Sequence, residues 1–233
     1  MMGTTYRLWT LAQDDMQDRM SWWDTILEGG LVGGIIIALS LLALGLCIMH
    51  LVQIRHAALM PQDQVDTVDT LLGQQDVAGA IEYCMAPDRD SFFTRIMGAA
   101  LLRYEQSPLG AFELKTAVEE AGSEQTARLY RSTDAIGLIG TIAPLLGLLG
   151  TVIGMVGAFE SLSRTAGDNH EALASNISLA LVTTLMGLTL AIPCVALFTY
   201  FRNRIDALAA DAGLEFERLT LHLLASSPQG KGS

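Results

Sequence analysis

Thr151 is one of very few hydroxyls in the run Pro144-Leu-Leu-Gly-Leu-Leu-Gly-Thr-Val-Ile-Gly-Met-Val-Gly-Ala-Phe159. A later run carries Ser175, Asn176, Ser178, Thr183, Thr184 and Thr189 ahead of Pro193. A hydroxyl or amide in an apolar stretch costs free energy unless it is hydrogen-bonded. Two chemistries meet that demand. The group can bond to its own or a neighbouring helix, or it can line a path for water or ions. Asn176 and Thr183 are seven residues apart, two helical turns, and share a face that Thr184 borders. Gly147, Gly150, Gly154 and Gly157 recur at spacings of three and four, a packing pattern that lets helices approach closely. Pro144 and Pro193 each remove a backbone hydrogen bond, and Pro144 is expected to kink or locally open its helix.

The elements that must position these residues are membrane spans. The chain has 233 residues, 51% of them hydrophobic and only 17% charged, with a mean hydropathy of +0.38. Soluble domains carry about a quarter charged residues. The charge is also segregated: 22 of the 25 acidic residues lie in 1–28, 53–134 and 202–233. Three uncharged runs, Gly29 to Met49, Ala135 to Phe159 and Ala172 to Phe201, reach the roughly 20 residues that a helix needs to cross the hydrocarbon core. A chain this short cannot bury three such helices inside one soluble core. The reading excludes an ordinary globular enzyme, a disordered chain and a disulfide scaffold. The net charge of −11 argues against nucleic acid as a partner. The fold class is an all-α membrane protein with three transmembrane helices and long helices that extend into a cytoplasmic helical domain.

Basic residues near the helix ends set the orientation. Arg55 follows the first run, Arg128 and Arg131 precede the second, and Arg202 and Arg204 follow the third. The expected order is an outer N-terminal segment (1–28), a first span (29–52), a cytoplasmic helical domain (53–134), a second span (135–159), a short outer loop (160–171), a third span (172–201) and a cytoplasmic C-terminal helix and tail (202–233). Leu8, Leu11, Asp15, Arg19 and Trp22 suggest an amphipathic helix along the outer interface, with Trp22 and Trp23 as an aromatic belt. Residues 1–28 lack the basic start and apolar stretch of a signal peptide. The C-terminal residues from Ser226 read as a disordered tail.

The charged domain reads as helical: Gln62 to Leu72, Asp76 to Met85, and Ser91 to Tyr104 with an apolar side that includes Phe93, Ile96, Met97 and Leu101. Ser107-Pro108 reads as a helix start, with no strong stop before Phe159 apart from a weak point at Gly122-Ser123. A helix of about 50 residues would be roughly 75 Å long, so it must project beyond the bilayer. The third run likewise continues to about Leu224. These extensions are narrowly apolar and want partners, other copies of the chain above all. No catalytic constellation is found, and the chain reads as a non-enzyme. Glu119 and Glu120 are adjacent and point to different parts of a helix surface. No nucleophile stands beside a base, and no phosphate-binding glycine loop is found. Cys47, Cys84 and Cys194 form no compartment-compatible pair, and four scattered histidines give no metal site. No cofactor is expected.

The strings Ala143-Pro-Leu-Leu-Gly-Leu-Leu-Gly-Thr-Val-Ile-Gly-Met155 and Ala180-Leu-Val-Thr-Thr-Leu-Met-Gly-Leu-Thr-Leu-Ala-Ile-Pro193 resemble the MotA/TolQ/ExbB proton-channel family. The match covers about residues 130–205. ExbB and TolQ are the nearest branches, since they share three spans and an outer N-terminus, whereas the MotA branch has four spans. The resemblance implies a ring of five copies in the bacterial inner membrane, around two single-span partners of the ExbD/TolR type, each with an aspartate in its span. It implies a proton-driven motor that acts on outer-membrane processes such as TonB-dependent import, with a TonB-like protein as a further partner. By position, Thr151 and Thr184 match the family's pore-facing threonines, and Thr183 and Asn176 join them as ion-pathway candidates.

No carboxylate lies between Asp134 and Glu160 or between Glu171 and Asp206. A proton crossing the midplane therefore has no titratable stop on this chain, which requires an acidic residue on the partner. The chain departs from the family at Leu179, where many members carry a glutamate. That departure leaves open another water path, another ion such as sodium, or a specialised paralogue, and it motivates a second hypothesis, an oligomeric membrane scaffold that does not conduct; a motility-type motor of the same family is a further alternative.

Overall fold

The computed structural model describes residues 30–107, 111–164 and 170–226. All regular structure among them is helical. In chain order the elements are α1 (Gly30–Gln53), α2 (His56–Leu59), α3 (Gln62–Gly73), α4 (Val77–Met85), a 3-10 turn (Pro87–Arg89), α5 (Phe92–Gln106), α6 (Ala111–Arg164) and α7 (His170–Ser226). Three of them, α1, α6 and α7, are long and apolar enough to cross a membrane. The expected outer segment 1–28, the helix start at Pro108 and the tail beyond Ser226 lie outside the described residues.

Two compact units divide the chain. The described residues of 1–44 and 138–195 form one, here termed apolar. Those of 45–137 and 196–233 form the other, termed charged. In the charged unit the expected short helices are present, and two of them, α4 and α5, start on side-chain caps. The Asp76 carboxylate accepts from the Gly79 amide at 2.9 Å, which satisfies one of the amides left free at the start of α4. Ser91 opens α5 with a reciprocal capping box: its hydroxyl accepts from the Thr94 amide at 3.1 Å, and Thr94 Oγ1 accepts from the Ser91 amide at 2.9 Å. Gln64 Oε1 accepts from the Ser91 hydroxyl and ties α3 to this corner. The Arg95 guanidinium donates to Asp90 and holds its carboxyl below the usual carboxylate range.

The core of this unit is aromatic and aliphatic. Phe93 stacks on Phe216 with centroids 5.6 Å apart and planes within 2°. Val68, Ile96, Met97, Leu101 and Leu114 are fully buried beside the α7 residues Ile205 and Leu219. Arg202 closes one end of the α6–α7 contact. Its guanidinium pairs with Asp134 at 3.2 Å and lies over the Tyr130 ring, while Tyr130 donates to Asp206.

Helix α6 runs unbroken through Gly122-Ser123, because the helix-forming residues on either side outweigh one glycine costing about 1 kcal/mol. It also runs through Pro144, and α7 runs through Pro193. A single lost hydrogen bond does not end a helix whose neighbouring turns are held by packing. The four-residue α2 has no periodic signature to read in sequence, and α6 continues past Phe159 to Arg164.

Candidate functional site

Within the apolar unit, α6 and α7 meet along two stripes of small residues. On α6 the stripe is Gly140, Ala143, Gly147, Gly150, Gly154 and Gly157. A side-chain carbon added at most of these would strike α7. At Gly147 it would meet the Thr183 carbonyl oxygen at 3.0 Å, and at Gly150 the Thr183 hydroxyl at 2.2 Å. At Gly154 it would meet the Asn176 carbonyl oxygen at 2.7 Å. The opposing stripe on α7 is Asn176, Ala180, Thr183, Gly187, Ala191 and Cys194, spaced by threes and fours. Its tightest point is Gly187, where an added carbon would lie 2.5 Å from the Ala143 carbonyl oxygen. Gly187 was not singled out from the sequence. Its signal was there, four residues after Thr183 and four before Ala191.

This seam sorts the polar candidates. Thr183 is 1% exposed, and its hydroxyl lies against Gly150 while donating to the carbonyls of Leu179 (3.1 Å) and Ala180 (3.0 Å). The Asn176 amide donates to Ala172 O at 2.9 Å, and its other end faces Gly157. Both therefore sit inside the helix pair of a single chain. Thr184 and Thr151 are half-buried, as Asn176 is, whereas Thr183 is enclosed. The Thr184 hydroxyl lies within reach of the Gly147 carbonyl on the other helix at 3.2 Å and of its own Ala180 carbonyl at 3.3 Å. Thr151 is four residues beyond Gly147 on the same helix face. Its hydroxyl donates to Leu148 O at 2.6 Å. Each hydroxyl spends its proton on a backbone carbonyl and keeps lone pairs that can accept from water or bind a cation.

Leu179 faces different surroundings. With Gly30, Val32, Gly150, Ile153 and Thr183 it lines an apolar cavity of about 90 Å³. The cavity holds no charged side chain. Among the described residues, no three His, Cys, Asp or Glu side chains gather where they could hold a metal ion.

Residues 88–212, more than half of the chain, match the model of the MotA/TolQ/ExbB proton channel family. The chain belongs to this family. An ExbB-like protein of Synechocystis is 32% identical over 179 residues, covering 76% of this chain and 83% of the relative. The biopolymer transport protein ExbB of Salmonella typhimurium is 32% identical over 136 residues, 52% of this chain and 54% of its own. The biopolymer transport protein exbB1 of Vibrio cholerae is 36% identical over 111 residues, 44% of this chain and 49% of its own. The chain thus spans about half the length of the last two. Like the MotA/TolQ/ExbB proteins it resembles, this is a membrane protein. Its matched region takes in the whole small-residue seam and both half-buried threonines.

Proposed function

We propose that the chain is the ring-forming subunit of an inner-membrane, ion-driven motor that energises biopolymer transport together with a single-span partner of the ExbD/TolR type. The N-terminus is periplasmic, the charged unit and C-terminus are cytoplasmic, and a TonB-like protein receives the output. Five copies in the ring is the number the family implies. One observation carries the reading: the spans hold two half-buried threonines, Thr151 and Thr184, one turn apart in register across the helix pair, and no carboxylate. Such a lining supports water or a cation at low cost yet offers no group that titrates, so the titrating acid belongs on the partner's span. We assign Asn176 and Thr183 to holding the helix pair rather than to the path, because both are consumed by the seam. Pro144, Gly147, Gly150, Gly154 and Pro193 shape that seam.

The test is ion flux. In liposomes containing the chain and its partner, Thr151→Val with Thr184→Val should reduce proton or sodium flux at least tenfold. Full flux by the double variant would overturn the assignment. A second reading, a non-conducting scaffold, is favoured by Leu179 in its uncharged cavity. Flux of neither ion through the wild-type complex would establish that reading.

A further inference from the structure

A groove of about 500 Å³ opens in the charged unit between α5, α6 and α7, floored by Phe92, Ile96, Val118 and Phe216. Two glycines line it from the two long helices, Gly122 of α6 and Gly213 of α7. A carbon added at either would meet nothing within 4 Å. The same holds at Gly45 and Gly73 of the unit, but neither of those lines the groove, whereas at Gly98 an added carbon would meet Cys84 at 3.2 Å and at Gly137 it would meet Phe198 at 3.0 Å. A glycine inside a helix costs about 1 kcal/mol relative to alanine. At Gly98 and Gly137 close contact within the chain explains that cost. At Gly122 and Gly213 nothing within the chain does, and the room they leave opens into the groove.

The charges around the groove select its occupant. Glu119 from α6 and Glu217 from α7 line it, and neither has an ion-pair partner among the described residues. Neighbouring carboxylates are already committed: Glu113 and Glu120 to Arg103, Glu124 to Arg128, and Glu215 to Arg218. Lys115 supplies the groove's one cation. A basic occupant complements the Glu119 and Glu217 carboxylates, and residues 53–134 as a whole carry 13 acidic against 7 basic residues.

We propose that this groove seats a short, basic, amphipathic segment on the cytoplasmic flank of the single-span partner. Its apolar side chains fill the space over Gly122 and Gly213, and its Lys or Arg side chains pair with Glu119 and Glu217. This rests on the functional reading above, which places the charged unit in the cytoplasm beside such a partner. The cytoplasmic flanks of membrane spans are enriched in Lys and Arg, and an amphipathic helix in an apolar groove is a recurrent mode of recognition.

The test is photo-crosslinking in the full-length chain co-expressed with its partner. The probe is p-benzoylphenylalanine, placed at Thr126 or at Ala209, with the crosslinked peptide identified by mass spectrometry. The expected product joins the groove to the partner's basic cytoplasmic segment, and its yield falls at least tenfold with Glu119→Lys plus Glu217→Lys. Gly122→Leu plus Gly213→Leu should reduce it as far by filling the groove. The charge variants alter exposed side chains only, so they keep the test decisive if the leucine variants misfold. Crosslinks to a second copy, no crosslink, or a yield indifferent to charge reversal would each overturn the proposal. Partner co-purification and ion flux, measured in parallel, separate the two readings. If both persist without a groove crosslink, the groove assignment alone falls; if the partner does not co-purify, both fall.

Discussion

Helices α6 and α7 are joined in two different ways in the two units. In the apolar unit, the glycines meet main chain and mostly small side chains such as Thr183 and Ala180. In the charged unit the two helices are joined by Arg202 with Asp134 and by Tyr130 with Asp206, beside a core stacked on Phe93 and Phe216. The solvent explains the difference. Lipid tails are as apolar as leucine, so burying more hydrocarbon between spans gains little, and close main-chain approach with interhelical hydrogen bonds takes over. In water the burial of large apolar side chains is the dominant gain, and each aromatic ring contributes heavily. One pair of helices therefore follows two sets of packing rules.

The comparison can be broken most severely where the seam comes closest to main chain. Gly187→Leu would drive a side chain into the Ala143 carbonyl, which cannot move aside as a flexible side chain can. Most of the folded protein should be lost, as read by thermal size-exclusion in detergent. Recovery at wild-type yield would show that the seam is not what joins the helices. In the other unit, Phe93→Ala should cost about 3–5 kcal/mol through the cavity it leaves, measured by denaturant unfolding.

Smaller changes sharpen the contrast. Thr183→Val removes a hydroxyl that donates only to its own helix, and should cost about 1 kcal/mol. Flux should stay within twofold of wild type, in contrast with Thr184→Val. A large loss of flux from Thr183→Val would return that residue to the ion path.

Cys84 provides a pH test of the charged unit. Burial pushes its thiol from the ordinary value near 9 up to about 12. The folded state therefore favours the neutral thiol, and its stabilising share is intact below pH 9 and lost as pH rises from there toward 12. Maleimide should label Cys84 at pH 8 only after unfolding; rapid labelling of folded protein would contradict its burial. The smallest effect is expected from Arg103→Gln. Its pairs with Glu113 and Glu120 lie at the surface and should contribute little to stability, less still in high salt.

Much of this was legible in the chain itself. The uncharged runs gave three spans because a helix satisfies its own main chain and hydropathy then decides its surroundings. The helix starts at Asp76 and Ser91 were readable, and the caps that hold them involve residues only three apart. The glycine pattern of the second span was readable, and so was the want of a carboxylate. These are local properties, fixed by residues within a few turns of one another.

Which stripe of α7 faces the glycines was not legible. Asn176, Thr183 and Thr184 look equivalent in sequence, yet one helical step of 100° encloses Thr183 and leaves Thr184 half-buried. The rotation of α7 about its axis is set by where main chain can approach main chain, at Gly187 against Ala143 and Gly147, far apart in sequence. Likewise Gly122 reads in sequence only as a weak point of its helix; the fold sets it and Gly213 on one groove. Sequence determined the helices and the missing charge; the tertiary structure alone decided which hydroxyl is enclosed in the seam and which stay half-buried, because it sets how the two helices face each other.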